Sequence, residues 1–140
     1  MQFTFKKNER LTGEKRINHL FANGQAFVAY PMRVVFLISE RVIEATDESK
    51  LNEIPSVSIL ISVPKKRLKS AVKRNRIKRL IRETYRLNKH LLITGEGNRF
   101  EVAFVYVRDE LSDYVTVEKG MLKALKLLSA HAQQIEKQLE

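Results

Sequence analysis

Apolar residues recur along this chain in two rhythms, three to four residues apart in some stretches and every second residue in others, which separates helices from strands. Ile17, Leu20 and Phe21 share one face at i, i+3, i+4 spacing and predict a short helix over residues 13–22. Thr12 is placed to cap it, and Asn23-Gly24 to stop it, since Gly tolerates the left-handed conformation common after a helix. Residues 27–39 are rich in aromatic and β-branched types and predict one or two strands, with Pro31 at a break or edge. Val57, Ile59, Ile61 and Val63 alternate with Ser56, Ser58, Leu60 and Ser62, a strand with one apolar and one mostly small, polar face, ended by Pro64. Ser70 then can cap a long helix to about residue 92, closed by Thr94-Gly95. Residues 99–108 form another strand, whose unbroken apolar centre at 102–107 predicts burial on both faces. Thr116 can cap a last helix with Met121, Leu125, Leu128, Ala132, Ile135 and Leu139 on one stripe. Residues 41–55 carry several acids and no periodicity, so residues 44–53 are expected to be an exposed connection. The order helix, strands, helix, strand, helix predicts a single-domain α+β sandwich over residues 1–140, with helices packed on one mixed sheet.

Charge sharpens this picture. The 140 residues include 26 Lys and Arg against 16 Asp and Glu, for a net charge of +10. Residues 65–89 alone hold twelve bases and one acid, Glu83, while the rest of the chain is close to neutral. Concentrating the excess in one segment is the footprint of a polyanion-binding surface. There is no cysteine, which removes disulfides, thiolate metal sites and thiol nucleophiles. Residues 1–10 are polar and charged, unlike a secretory signal, and the longest apolar run is too short to span a bilayer. A cytoplasmic protein without a membrane partner is expected.

On a helical wheel started at Val72, Ile77, Leu80, Ile81, Leu87 and Leu91 fall within about 60–180°, and Lys78, Arg79, Arg82, Arg86 and Lys89 within about 240–340°. Arg76 and Arg74 lie on the two flanks. A solvated helix face normally interleaves acids with bases to gain i, i+4 pairs. Crowded cations instead call for an anionic partner. A membrane surface suits such a helix less well, because no Trp or Phe marks the apolar boundary.

The run Ala71-Val72-Lys73-Arg74-Asn75-Arg76-Ile77-Lys78-Arg79-Leu80-Ile81-Arg82-Glu83 resembles the signature helix of the bacterial ribonuclease P protein family, with Arg74, Asn75 and Arg76 as its RNR motif. Lys65-Lys66 ahead of it, Arg10-Leu11 followed by Ile17, Phe21 and Asn23-Gly24, the strand at 57–63, and the late strand ending at Arg108 are similar to the family in order and spacing. Departures are Pro64 where a Ser is common, no Gly before Ala71-Val72, Ile17 in place of an aromatic, and the acidic stretch at 44–53, which looks like an insertion. The resemblance implies an α–β sandwich with a left-handed βαβ crossover containing the motif helix. It also implies a holoenzyme that removes the 5′ leader from precursor tRNA, with the catalytic magnesium ions held by the RNA subunit and a protein inactive alone. The free protein is expected to be a monomer. The protein would contact the RNA subunit through the motif helix and the leader through a cleft between the first helix and the sheet.

Arg74, Asn75, Arg76, Lys78, Arg79, Arg82 and Arg86, with Lys65 and Lys66, are therefore the candidate RNA contacts. Arginine's planar fork suits phosphate oxygens and lysine adds a compact charge. Asn75, a mediocre helix former amid cations, suggests a hydrogen-bonding task to RNA or to a neighbouring loop. For the leader cleft the candidates are Ile17, Phe21, Arg33 and Phe36, with Phe3 and Phe5 less central, because unpaired bases stack on apolar surface flanked by positive charge. Core packing explains Phe21 equally well, and the register near Pro31 leaves open whether Val35 or Phe36 faces the cleft. His19, His90 and His131 lack any ligand or acid–base spacing and are expected to be surface or helix residues. Asp109 and Asp113 read as turn and capping residues, so no catalytic residue and no protein-bound metal is expected. The alternative is a non-enzymatic, ribosome-associated or structural RNA-binding protein, which would share the basic helix without needing the upstream Arg10-Leu11 and Phe21 spacing.

Overall fold

The computed structural model describes residues 9–40, 56–92 and 98–138. The first helix, α1, is Glu14–Asn23; strands β1, Gln25–Ala29, and β2, Met32–Glu40, follow; then β3, Val57–Ser62; the long helix α2, Ala71–Asn88; β4, Asn98–Tyr106; and α3, Tyr114–Gln138. The predicted order of elements is the observed one. The acidic connection at 44–53, together with Phe3, Phe5 and Thr94-Gly95, lies outside the described residues.

The four strands form one sheet in the order β1-β2-β4-β3. β1 and β2 are an antiparallel hairpin joined through a cis Tyr30-Pro31 peptide, β2 pairs antiparallel with β4, and β3 pairs parallel with β4. β3-α2-β4 is thus a βαβ unit. Strand side chains alternate, so the sheet has two working faces. Met32, Val34 and Phe36 of β2, Ile59 of β3, and Phe100, Val102, Phe104 and Tyr106 of β4 pack under α2 and α3 in the main core. Val35, Ala103 and the half-buried Leu60 and Val105 face the other way and meet Leu11, Ile17 and Leu20 beneath α1. Burial of β4 on both faces follows directly.

Local details differ from the sequence reading at the helix ends. Thr12 does not cap α1: the capping position is Gly13, whose φ of 97° is the left-handed region where a side chain is strained. Gly24 is not left-handed either. It is extended at φ −76°, and glycine is needed for room, because a Cβ there would come within 2.6 Å of the Leu20 carbonyl oxygen and 2.9 Å of that of Phe36. Ser70 does cap α2, accepting from the Lys73 amide. α3 starts three residues earlier than expected, because Asp113 and not Thr116 is the cap: the Thr116 amide donates to Asp113 Oδ1 at 2.9 Å. Hydrogen bonding from the Thr116 side chain, and then from its amide, holds the Asp113 carboxyl below its ordinary pKa.

Candidate RNA-binding surfaces

α2 sits over the sheet through Ile77, Ile81, Thr84 and Tyr85, all buried. The sequence stripe found the two isoleucines and missed Thr84 and Tyr85. Thr84 satisfies its hydroxyl on the Ile81 carbonyl, and Tyr85 lays its ring 6.0 Å from Phe104. Burial pushes the Tyr85 phenol well above its usual range. Leu91, placed in the stripe by spacing, is half exposed because the helix tightens to a 3-10 turn at Lys89–Leu91.

With that face fixed, the candidate cations divide into those committed to the protein and those turned to solvent. Arg74 donates from Nη1 to the Leu68 carbonyl at 2.9 Å and to that of Lys69 at 2.8 Å. Arg67 spans to Asp109 at 3.2 Å. Together these contacts hold the loop from Pro64 to Ser70, on which Lys65 and Lys66 stand exposed. Arg74 is therefore a loop anchor as well as a motif residue, a role its position on the wheel did not suggest. Arg86 is clasped by Glu83, with nitrogen–oxygen distances of 2.6 and 3.1 Å. That pairing lowers the Glu83 pKa and neutralises one end of the cationic face. Lys89, also on the wheel's basic side, is tied to Glu9 at 3.0 Å. Asn75, Arg76, Arg79 and Arg82 are exposed and Lys78 half-buried, and none of these cations has an acidic partner among the described residues.

The opposite face of the sheet carries the second candidate surface. Phe36 does not belong to it. Only 3% exposed, Phe36 packs on the α3 side, its ring 4.8 Å from His131 and 5.7 Å from Phe27. Val35 is the residue that turns towards α1, which settles the register near Pro31. Ile17 packs on the small cluster beneath α1, while Phe21, one turn further along, stands 47% exposed and so is not core. Arg33 is exposed on this face, and strand pairing sets it in a row with Val28 of β1, Val105 of β4 and Ser62 of β3. Val28 is 58% exposed. The row runs towards the loop that bears Lys65 and Lys66. Val28, Ser62 and Val105 escaped the sequence reading because only the inter-strand register assigns them to this ledge.

His19 and His90 are exposed, His19 bonding to Asn23 four residues on, and His131 is half-buried among the aromatics. Among the described residues no three His, Asp or Glu side chains gather as a metal site, and no helix is long and apolar enough to cross a membrane.

The family model described as Ribonuclease P matches residues 5–129. The chain belongs to the ribonuclease P protein family. It is 45% identical over 126 residues to the ribonuclease P protein component of Porphyromonas gingivalis strain W83, covering 88% of this chain and 85% of that one. With the component of Chlorobium phaeobacteroides it shares 33% identity over 112 residues, 74% of this chain and 72% of the relative. The fold matches solved ribonuclease P proteins from Staphylococcus aureus, with a TM-score of 0.60, 20% identity and coverage of 85% and 94%, and from Thermotoga maritima, with a TM-score of 0.60, 23% identity and coverage of 84% and 94%. Membership extends across both candidate surfaces, since each falls within residues 5–129.

Proposed function

We propose that this chain is the protein subunit of a bacterial ribonuclease P and serves it through two surfaces on opposite sides of the sheet. One is the cationic face of α2, which docks the RNA subunit; the other is the ledge beside α1, which holds the 5′ leader of precursor tRNA. The observation that carries this reading is the division of cations on α2. Arg76, Arg79 and Arg82, with Asn75 beside them, are exposed, and among the described residues no carboxylate is set against these cations, an arrangement that a polyanion compensates. Arg74 contributes by holding the loop of Lys65 and Lys66 near the end of the ledge.

On the ledge, Phe21 offers a ring for stacking, Ile17, Val28 and Val105 an apolar floor, and Arg33 a phosphate contact. Such a surface grips unpaired nucleotides without reading much sequence. In this reading both the acid–base chemistry and the magnesium ions of the reaction belong to the RNA subunit. The work of the chain is then positioning and charge neutralisation, in the bacterial cytoplasm.

A double variant tests the docking face. Arg79→Ala with Arg82→Ala leaves the buried stripe intact, so the fold persists while RNA-subunit affinity falls. The salt dependence of binding flattens by about 0.7–0.9 per phosphate contact removed. Binding equal to wild type across a salt series would remove α2 from the interface.

A further inference from the structure

β3 is an edge strand, and its edge is only partly closed. Arg10 forms a parallel bridge with Ile59, and the Leu11 amide donates to the Ile59 carbonyl at 2.7 Å. One residue beyond Thr12 the chain turns away through the left-handed Gly13 and enters α1. The edge is therefore abandoned just where Ile61 follows.

In a parallel pairing, the amide and carbonyl of one residue point to the same side. The Ser56 carbonyl accepts from Phe100 of β4, whereas the Ile59 carbonyl accepts from Leu11 on the outer side. Even-numbered residues of β3 thus serve β4, and odd-numbered ones serve the edge. The Ile61 N–H and C=O point outward, and among the described residues no backbone group pairs with them.

Ile61 is also one of the residues lining a cavity of about 230 Å³ on this edge. Leu11, Leu60 and Ile61 give it apolar walls; Arg10 from the edge segment and Lys78 and Arg82 from α2 ring it with positive charge. No carboxylate is among the described residues that line it. An apolar slot, an open donor–acceptor pair and a cationic rim together match one kind of ligand.

We infer that this cavity takes a single unpaired RNA nucleotide, with its base in the slot and its phosphate on Lys78 and Arg82. Every nucleobase presents a neighbouring donor and acceptor on its pairing edge, so the Ile61 N–H and C=O bind the base in the manner of a missing strand. The site is base-general, and it adds a directional contact to a helix face that otherwise offers only charge. It rests on the assignment of α2 as the RNA-docking face and specifies what one part of that face does.

The test uses the full chain, with AMP as probe and ribose 5-phosphate as the base-free control. AMP is expected to shift the Ile61 amide resonance in a nitrogen–proton NMR titration, and ribose 5-phosphate to leave it unmoved. Thr12→Phe fills the slot from an exposed position without removing a cation. It is expected to lower AMP affinity about tenfold or more, and to weaken RNA-subunit binding with no change in salt slope. Thr12→Leu should produce a smaller loss, and circular dichroism verifies the fold of both variants. Equal binding of AMP and ribose 5-phosphate, or indifference of AMP binding to Thr12→Phe, would overturn the nucleotide site. Normal docking of the wild-type protein on the RNA subunit would in that event leave the α2 assignment standing; absence of wild-type docking would overturn both.

Discussion

Phe21 and Gly24, three residues apart, show how differently single positions act at the end of α1. Phe21 spends a large apolar ring on solvent, at 47% exposure, whereas the other Phe rings among the described residues are buried or half-buried. If it stacks on a leader base, Phe21→Ala should cost about 1–3 kcal/mol of precursor-tRNA affinity. Unfolding stability should change by no more than about 0.5 kcal/mol, as for other surface sites. Mature tRNA, which has no leader, should bind as before. Equal losses for both tRNAs would take Phe21 off the leader path. Gly24 is the converse case, a residue with no side chain to offer and no space for one. Gly24→Ala drives a methyl against the Leu20 and Phe36 carbonyl oxygens, and thermal or urea unfolding should register a loss of about 1–3 kcal/mol, the range for overpacking. An unchanged midpoint would mean that α1 shifts freely against β2.

At the scale of elements, α2 is the helix on which most of the function rests, and its one acid is informative. Arg86 donates two hydrogen bonds to Glu83, which holds the carboxyl below its ordinary value. A depressed carboxyl pKa contributes stability above the unfolded value and loses it as pH falls through the folded one. The clasp is therefore intact at neutral pH and opens only in acid, below the usual Glu range. An NMR titration should find the Glu83 midpoint below that range in the wild type and back within it in Arg86→Ala; identical midpoints would show that the clasp does not persist in solution. Much of this helix was legible in the sequence. Its start at Ser70, its apolar stripe and its cationic face all follow from spacing, because 3.6-residue periodicity reports directly on what is buried. Other features depended on partners distant in sequence. Tyr85 is core because Phe104 comes to meet it, and Arg74 is a loop anchor because the chain folds back through Leu68 and Lys69. Spacing alone does not decide between Val35 and Phe36 for the α1 face, because pairing with β1 and β4 sets the register of β2 and turns Phe36 to the α3 side. Thr12 and Thr116 were reasonable caps by residue type, yet Gly13 and Asp113 hold those positions.

For the whole molecule, the sheet acts as a partition. α2 and α3 close the main core on one side, α1 closes a smaller cluster on the other, and the two proposed RNA surfaces stay apart while sharing the loop held by Arg74. Such a body can dock on one RNA and hold another strand at a fixed distance, a task of geometry and charge that requires no catalytic group. The most direct test is reconstitution. The purified chain, combined with a bacterial ribonuclease P RNA at a magnesium concentration too low for that RNA to act well alone, should restore cleavage of precursor tRNA at the 5′ end of the mature sequence, while the chain without RNA should cleave nothing. No gain in cleavage on adding the protein, or specific leader removal by protein shown to be free of RNA and contaminating nuclease, would contradict the account.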